Sequence, residues 1–183
     1  MSLILTVLMI IQLCGLSGAG KTTLAHSVQE QLTKAGTPVE VIDGDLYRSK
    51  LSKDLGYSRI DRKENILRLG FLASRFSSHG VVCIMSVINP YADVRNQIVA
   101  KYPNVKTIFI DCPISVLQKR DTKGLYKRAS LPDDHPDKIS NLTGVNDPFD
   151  APILPDLYIN TAKQSISECT ATILKFIKEQ TRL

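Results

Sequence analysis

The sequence has no block of basic residues. Its 23 Lys and Arg are scattered among 18 Asp and Glu, which leaves a net charge of +5. Proteins that follow a nucleic-acid backbone usually concentrate their basic residues in a patch or stripe. The charge pattern therefore argues against nucleic acid as a partner, whereas a mild positive excess suits phosphorylated small molecules.

The sequence also lacks a metal-binding or redox arrangement of cysteines. Its four cysteines are far apart and show no CxxC spacing, so neither a zinc site nor a redox pair is predicted. Because free cysteine is among the most buried residue types, we expect reduced, buried thiols. The four are Cys14, Cys83, Cys112 and Cys169.

The apolar start of the chain is too short for a membrane span. Residues 3–13 form an apolar run of 11 residues, whereas a transmembrane helix needs about 20. No Lys or Arg precedes this run, and it leads directly into a glycine-rich loop, unlike a signal peptide. We expect a buried strand here and a cytoplasmic protein without a membrane partner.

Nothing in the composition indicates general disorder. Hydrophobic residues make up 43% and charged residues 22% of the 183 residues, which is ordinary for a globular enzyme. A chain of this length removes roughly 70% of its unfolded surface from water in one core. We therefore expect residues 1–183 to form a single domain.

Alternating apolar and helical patterns predict an α/β fold. Apolar, β-branched runs at about 7–14, 38–42, 81–88 and 105–111 are typical of strands, and helical patterns separate them. This alternation favours a parallel sheet flanked by helices.

Two helices have clear apolar stripes. One follows Ser58 and ends at Gly80. The other is the last helix, where Thr161 and Gln164 are placed as a capping box. Its stripe consists of Ile166, Cys169, Ile173 and Phe176.

The strongest local motif is GLSGAGKT at residues 15–22, which matches GxxxxGK[ST] in full between a strand and a helix. Glycines let backbone N–H groups turn toward phosphate oxygens, while Lys21 reaches the β- and γ-phosphates. The Thr22 hydroxyl is placed to coordinate Mg²⁺. The predicted ATP-binding residues of this segment are Gly15, Leu16, Ser17, Gly18, Ala19, Gly20, Lys21, Thr22 and Thr23.

A GTPase is an alternative reading of this motif. Residues 121–124 fit the DxxG pattern, but the sequence contains no NKxD motif that would read guanine. We therefore do not expect a GTPase.

Charged residues after the second strand point to phosphoryl transfer. Asp43 and Asp45 flank a glycine, where they can orient Mg²⁺ or accept a proton from an attacking hydroxyl. A turn or helix cap is the alternative role for this pair. Arg62 and Asn65 stand one helical turn apart, positioned for a phosphate or ribose. A solvated surface arginine is the alternative for Arg62.

One long irregular segment predicts a lid. Residues 121–155 contain two glycines and five prolines among Lys, Arg and Asp residues. A loop of this length in a compact domain is usually functional or disordered. We interpret it as a mobile lid over the nucleotide site.

Together these residues resemble the adenylylsulfate (APS) kinase family. The resemblance rests on residues 43–70, on INPY at 88–91, on RDTKGLYK at 120–127, and on Thr143-Gly144 leading into Asp147-Pro148. It covers residues 10–177. It implies a three-layer P-loop kinase fold and ATP-dependent phosphorylation of the ribose 3′-hydroxyl of adenosine 5′-phosphosulfate. The product would be 3′-phosphoadenosine 5′-phosphosulfate (PAPS), made in sulfate assimilation or activation.

The resemblance also implies residue roles. Asp45 would act as the Mg²⁺-linked carboxylate or base, with Thr22 as the other metal ligand; Arg120 would lie near the adenine of ATP. The implied catalytic residues are Lys21, Asp45, Lys123 and Lys127. The implied acceptor-binding residues are Asp43, Asp45, Arg48, Tyr57, Arg62, Asn65, Ile88, Asn89, Lys123 and Leu142. A homodimer is implied as the assembly.

Several departures from the family pattern lie on the acceptor side. Leu142 replaces a phenylalanine that closes an adenine sandwich, Asn89 replaces a serine, Ala92 an arginine and Ser140 a lysine. The lid also has residues 131–137 as an insertion. Two alternatives therefore stay open: a kinase for a related nucleotide anhydride such as cytidine diphosphoramidate, and a non-catalytic nucleotide-binding module.

Overall fold

A parallel five-stranded sheet forms the centre of the protein. The computed structural model describes residues 9–181. The strands lie in the order β2-β3-β1-β4-β5, and every neighbouring pair is parallel. They are β1 Ile10–Cys14, β2 Val39–Asp43, β3 Val82–Ser86, β4 Val105–Asp111 and β5 Leu157–Asn160. The predicted α/β sheet is confirmed; residues 7–8 of the first predicted strand lie outside the described residues.

Helices cover both faces of this sheet. They are α1 Lys21–Lys34, α2 Gly44–Leu51, α3 Arg59–Ser77, α4 Ala92–Lys101, α5 Ile114–Arg120, α6 Leu125–Ala129 and α7 Ile166–Thr181. Successive strand residues point to opposite faces, so Ile10 joins a core with α3 and α4, whereas Ile11 joins a core with α1 and α7. The two cores produce the three-layer arrangement expected from the sequence.

The helix caps differ partly from the sequence prediction. Ser58 and Asp61 form a capping box at the start of α3, as the predicted boundary requires. The predicted box of Thr161 and Gln164 is wrong, because a turn separates them from α7. Ser165 and Glu168 cap this helix instead: the Ser165 amide donates to Glu168 Oε2 at 2.8 Å, and the Glu168 amide donates to Ser165 Oγ at 3.3 Å.

The strand order fixes where ligands can bind. The central strand β1 has β3 on one side and β4 on the other, so the direction of winding reverses there. In open α/β sheets, ligands bind at such a reversal, beyond the carboxyl ends of the strands. The loops that follow β1, β2 and β3 therefore meet at one edge of the sheet.

Within residues 9–181, the helices are all too short or too polar to cross a lipid bilayer.

Candidate active site

A cleft of about 980 Å³ opens at the carboxyl ends of β1, β2 and β3. This volume lies at the upper end of the range for small-molecule sites, which leaves room for more than one small ligand. Six basic side chains line the cleft against two acidic ones, so it favours anions. The basic residues are Lys21, Arg48, Lys53, Arg62, Lys123 and Arg128, and the acidic residues are Asp43 and Asp45.

The phosphate loop connects β1 to α1 through glycines with positive φ angles. Gly18 and Gly20 have φ of 77° and 94°, values that side-chain-bearing residues rarely adopt. A Cβ atom on Gly15 would lie 2.2 Å from the carbonyl oxygen of Ile110. The glycines thus allow a tight loop whose N–H groups and following helix N-terminus suit a phosphate.

Lys21 lies buried under this loop. Its Nζ donates to the carbonyl oxygens of Gly15 at 2.9 Å and Leu16 at 2.7 Å. An ammonium group has three protons, so one remains for a ligand phosphate. Burial lowers the pKa of Lys21 from its ordinary 10.5 to about 8.

Oxygen atoms suited to Mg²⁺ gather beside the phosphate loop. Thr22 Oγ1 lies 3.0 Å from Asp43 Oδ2 and 3.1 Å from Ser86 Oγ. Mg²⁺ is a hard cation that prefers oxygen ligands, so these residues fit the ion. Ser86 was not predicted from the sequence, where its only signal is a hydroxyl at the end of an apolar strand.

Asp43 also caps a helix. Its Oδ1 accepts the backbone N–H groups of Asp45 and Leu46, both at 3.0 Å. The alternative role as a helix cap is therefore confirmed for Asp43. Its other carboxylate oxygen accepts a hydrogen bond from Thr22. One side chain thus fixes both the start of α2 and the oxygen cluster.

Asp45 pairs with the predicted lid. Lys123 Nζ donates to Asp45 Oδ2 at 2.6 Å, and both side chains are exposed. Lys127 does not line the cleft, whereas Arg128, the next residue of α6, does. Sequence reasoning missed Arg128 because the orientation of a five-residue helix cannot be read from periodicity.

Arg120 lies behind the phosphate loop and is not among the residues that line the cleft. At the end of α5, its Nη2 donates to the carbonyl oxygen of Thr161 at 2.9 Å. The Thr161 hydroxyl in turn donates to the Ala19 carbonyl at 3.0 Å. Arg120 is thus connected to the phosphate loop through one residue.

Tyr57 also lines the cleft, where its ring forms an aromatic platform. Its side chain is 62% exposed. The Arg48 guanidinium lies 4.4 Å from the ring centroid and donates to the Gly56 carbonyl. Arg62 Nε donates to the Tyr57 carbonyl at 3.0 Å. The two arginines therefore hold the Tyr57 platform in place, while much of the ring stays exposed and can stack on a nucleotide base.

Arg62 also contacts the segment that was predicted as a lid. Its Nη2 donates to the Asn141 carbonyl at 2.6 Å and its Nη1 to Thr143 Oγ1 at 3.1 Å. Leu142, between them, is 6% exposed and lines the cleft. These hydrogen bonds hold the Arg62 side chain in place, so it is not a solvated surface arginine.

Three buried side-chain atoms in the described part of the chain have no hydrogen-bond partner, and all belong to residues that line the cleft. They are Ser52 Oγ, Asn65 Oδ1 and Asn89 Oδ1. Unpaired buried polar atoms are rare in native proteins and call for an explanation. A ligand with hydrogen-bond donors would supply the missing partners.

A phosphate loop, a neighbouring carboxylate and a lysine from a separate loop are the recurring parts of enzymes that move the γ-phosphoryl group of ATP. Their arrangement at the end of a parallel sheet defines the class as a P-loop kinase.

Comparisons with known proteins identify the family. A sequence profile described as adenylylsulphate kinase matches residues 8–160. The adenylyl-sulfate kinase of Synechococcus sp. (strain JA-3-3Ab) is 44% identical over 164 residues, covering 90% of both chains. The enzyme of that name from Chloroflexus aurantiacus is 42% identical over 166 residues, covering 91% of this chain and 87% of the other. The chain therefore belongs to the adenylyl-sulfate kinase family.

A solved structure agrees with this family. The Mycobacterium tuberculosis APS kinase CysC in complex with AMPPNP and APS superimposes with a TM-score of 0.86 and 31% identity. The match covers 93% of this chain and 97% of the mycobacterial one. The resemblance drawn from the sequence and its P-loop kinase fold are both confirmed.

Proposed function

We propose that the protein transfers the γ-phosphoryl group of ATP to the ribose 3′-hydroxyl of adenosine 5′-phosphosulfate, which gives PAPS and ADP. The observation that carries this proposal is the continuity of the cleft, which runs from the phosphate loop to the Tyr57 platform. Two nucleotides bound at its ends would direct their reactive groups toward each other. Membership of the adenylyl-sulfate kinase family supports the same reaction.

The donor side would bind MgATP. The phosphate loop surrounds the phosphates, and the free proton of Lys21 meets the β- and γ-phosphate oxygens. Thr22, Ser86, Asp43 and Asp45 are the residues that would hold Mg²⁺. This ion, when bound, neutralises charge on the transferring phosphoryl group.

Asp45 would serve as the base for the acceptor hydroxyl. As the 3′-oxygen forms a bond to the γ-phosphorus, the bond to the β–γ bridging oxygen breaks, and the hydroxyl proton passes to the Asp45 carboxylate. Lys123, which contacts Asp45, would offset negative charge on the equatorial oxygens. A role for Lys127 in the lid stays a prediction.

The acceptor side would recognise APS by charge and stacking. Arg48, Arg62 and Asn65 surround the place for the phosphosulfate and ribose, and the exposed face of Tyr57 takes the base. The unpaired amide oxygens of Asn65 and Asn89 match hydroxyl or amino donors on a nucleoside. These roles belong to the proposal.

The wider setting belongs to the proposal as well. We infer one domain over residues 1–183, a lid at 121–155 that closes over both nucleotides, a homodimer and a cytoplasmic location. The four cysteines are all free and buried, in keeping with a reducing compartment.

A coupled assay of ADP release tests the function. APS, cytidine 5′-diphosphoramidate and ordinary nucleoside monophosphates are compared as acceptors, and Lys21→Ala serves as the inactive control. We expect turnover with APS, and loss of at least about 100-fold in Lys21→Ala because a charge aimed at the transferring group is removed. Near-normal turnover in this variant contradicts a kinase.

One feature of the cleft favours cytidine 5′-diphosphoramidate as a second candidate acceptor. Leu142 stands where the resemblance implies a phenylalanine, so it provides no second ring for the base, and base stacking is worth about 1–3 kcal/mol. Efficient turnover of the cytidine compound, with APS saturating only at millimolar levels, would favour that substrate. Binding of ATP without release of ADP in the presence of any of these acceptors would indicate the non-catalytic module.

A further inference from the structure

Arg95, on α4, is a buried cation whose role the proposed mechanism does not explain. It is 4% exposed, and within residues 9–181 its guanidinium makes hydrogen bonds to main-chain oxygens but no salt bridge. Nη1 donates to the Asn89 carbonyl at 2.7 Å, and Nη2 donates to the Asp150 carbonyl. Burying an unpaired charge is costly, so a positional role for these bonds is expected.

Arg95 closes a ring of hydrogen bonds with Asn89 and Gln12. Asn89 is fully buried with a φ of 45°, a left-handed conformation that asparagine tolerates better than most residues. Its Nδ2 donates to Gln12 Oε1 at 3.0 Å, and Gln12 Nε2 donates to the Arg95 carbonyl at 3.2 Å. Such a closed network gives the Asn89 carbonyl a single orientation.

The loop held by this ring touches both halves of the cleft. Ile88, Asn89 and Pro90 all line the cleft, and the Ile88 carbonyl accepts the Gly15 N–H of the phosphate loop at 3.1 Å. The ring therefore lies directly behind the place where the acceptor ribose would meet the phosphate loop.

The same guanidinium connects this loop to the far end of the predicted lid. Asp150 donates its N–H to the Pro90 carbonyl at 2.8 Å, and its Oδ2 accepts the Ala92 N–H at 3.1 Å. With the bond from Arg95, three contacts fix Asp150 against residues 90–95. Loop 88–90 and the end of the lid thus form one unit, of which Arg95 is the centre.

We propose that Arg95 is a positioning residue for the acceptor nucleotide, acting through Asn89 and Asp150. The proposal rests on the proposed function. Removal of Arg95 takes away the bond that orients the Asn89 carbonyl and one of the three contacts that fix Asp150, and so loosens loop 88–90. The phosphate loop keeps independent anchors, because Tyr126 Oη donates to Ser17 O at 2.8 Å and Thr161 Oγ1 to Ala19 O at 3.0 Å. The acceptor site therefore depends on Arg95 more than the ATP site does.

Steady-state kinetics of Arg95→Met and Arg95→Lys test this role. We expect KM for the acceptor to rise about tenfold, and KM for ATP to change less than about twofold. Arg95→Lys keeps the charge but cannot reach two carbonyls in a fixed fork, so it should show most of the effect. Arg75→Met, at an exposed position on α3, is the matched control and should leave both constants unchanged.

Hydrogen exchange provides a readout that needs no acceptor. In Arg95→Lys, the amide of Gly15 should exchange faster, because its partner carbonyl belongs to the loosened loop. If Arg95→Met fails to fold, Gln12→Met breaks the same ring. It should also raise KM for the acceptor more than KM for ATP, but by a smaller factor. Absence of APS turnover by the wild-type protein would overturn the proposed function, whereas the exchange result would still test Arg95.

An equal rise of both KM values with a lower melting temperature would show a merely structural residue and overturn the proposal. Unchanged constants and unchanged exchange in folded variants would overturn it too.

Discussion

Burial of the Lys21 ammonium makes nucleotide binding depend on pH. The charged ammonium is the form that binds phosphate, and in the free protein it loses its proton with a pKa of about 8. Bound phosphates supply negative charge and raise this pKa again. Affinity for ATP is therefore highest well below pH 8 and falls as the pH rises through about 8.

The size of the effect follows from the protonated fraction. With a pKa of about 8, this fraction falls from roughly 0.76 at pH 7.5 to roughly 0.09 at pH 9.0. The dissociation constant of ATP should then rise roughly eightfold over this interval. A phosphate monoester loses its second proton near pH 6, so the ligand itself does not titrate in this range.

Calorimetric titration with a non-hydrolysable ATP analogue and Mg²⁺ measures this dependence. Titration at about pH 9 in two buffers of different ionisation enthalpy should also reveal uptake of roughly 0.9 proton per complex. Lys21→Met is the matched control, because it keeps every other titrating group. An equally steep loss of affinity in Lys21→Met, or a flat profile in the wild-type protein, would refute the reasoning.

Three further substitutions separate the two halves of the cleft. Asp45→Asn should lose turnover by at least about 100-fold while retaining ATP binding, because the proposed mechanism assigns its carboxylate to the acceptor hydroxyl. Unfolding on thermal melting, with Asp134→Asn as the control, would instead indicate a structural residue. Tyr57→Ala should weaken binding of APS by about 1–3 kcal/mol with little effect on binding of ATP, whereas Tyr57→Phe keeps the ring and should bind both normally. Equal weakening of both ligands in calorimetry would contradict this assignment. Leu142→Phe should lower the apparent KM for APS several-fold by adding about 1 kcal/mol of stacking, and an unchanged KM at an unchanged melting temperature would contradict a base held between the two side chains.

Most of the sheet could be predicted because its strands lie in runs rich in apolar and β-branched residues. Residues 81–88 are apolar except for Ser86, and strand β3 within them is buried over its whole length. Residues 105–111 also contain Lys106, Thr107 and Asp111, and strand β4 within them is only partly buried. Strand β5 was missed, since it has only four residues and follows directly after the proline-containing segment. Its pairing with β4, a non-local contact, determines it more than its own sequence does.

The phosphate loop could be predicted because its chemistry is contiguous in sequence. Eight adjacent residues contain the glycines, the lysine and the hydroxyl, and no distant contact is needed to recognise them. Ser86 and Arg128 were missed for the opposite reason. Each reaches the cleft from another element, through the register of β3 or the orientation of α6, and neither has a distinctive neighbour in the sequence.

Resemblance suggested roles for Arg48 and Arg62, but it could not show what these side chains bind in the free protein. Both donate to main-chain carbonyls near Tyr57, and Arg62 also binds Asn141. Lys21 behaves in the same way toward Gly15. Lys21 and Arg48 are therefore held by neutral oxygens, which satisfy their protons without cancelling their charge, whereas Arg62 Nε also lies 4.0 Å from Asp147 Oδ2.

This arrangement determines which ligands can enter. A phosphate or phosphosulfate oxygen carries charge and forms a stronger hydrogen bond with a guanidinium or ammonium than a carbonyl does. Exchange of a carbonyl for such an anion is therefore favourable, whereas a neutral nucleoside gains nothing to offset the bonds it would displace. Lys123 differs, because its partner Asp45 is itself an anion, so a ligand must compete there with a full charge. Both side chains of this pair are exposed, however, and an exposed ion pair contributes little, so an incoming phosphate can take Lys123 from Asp45 at small cost.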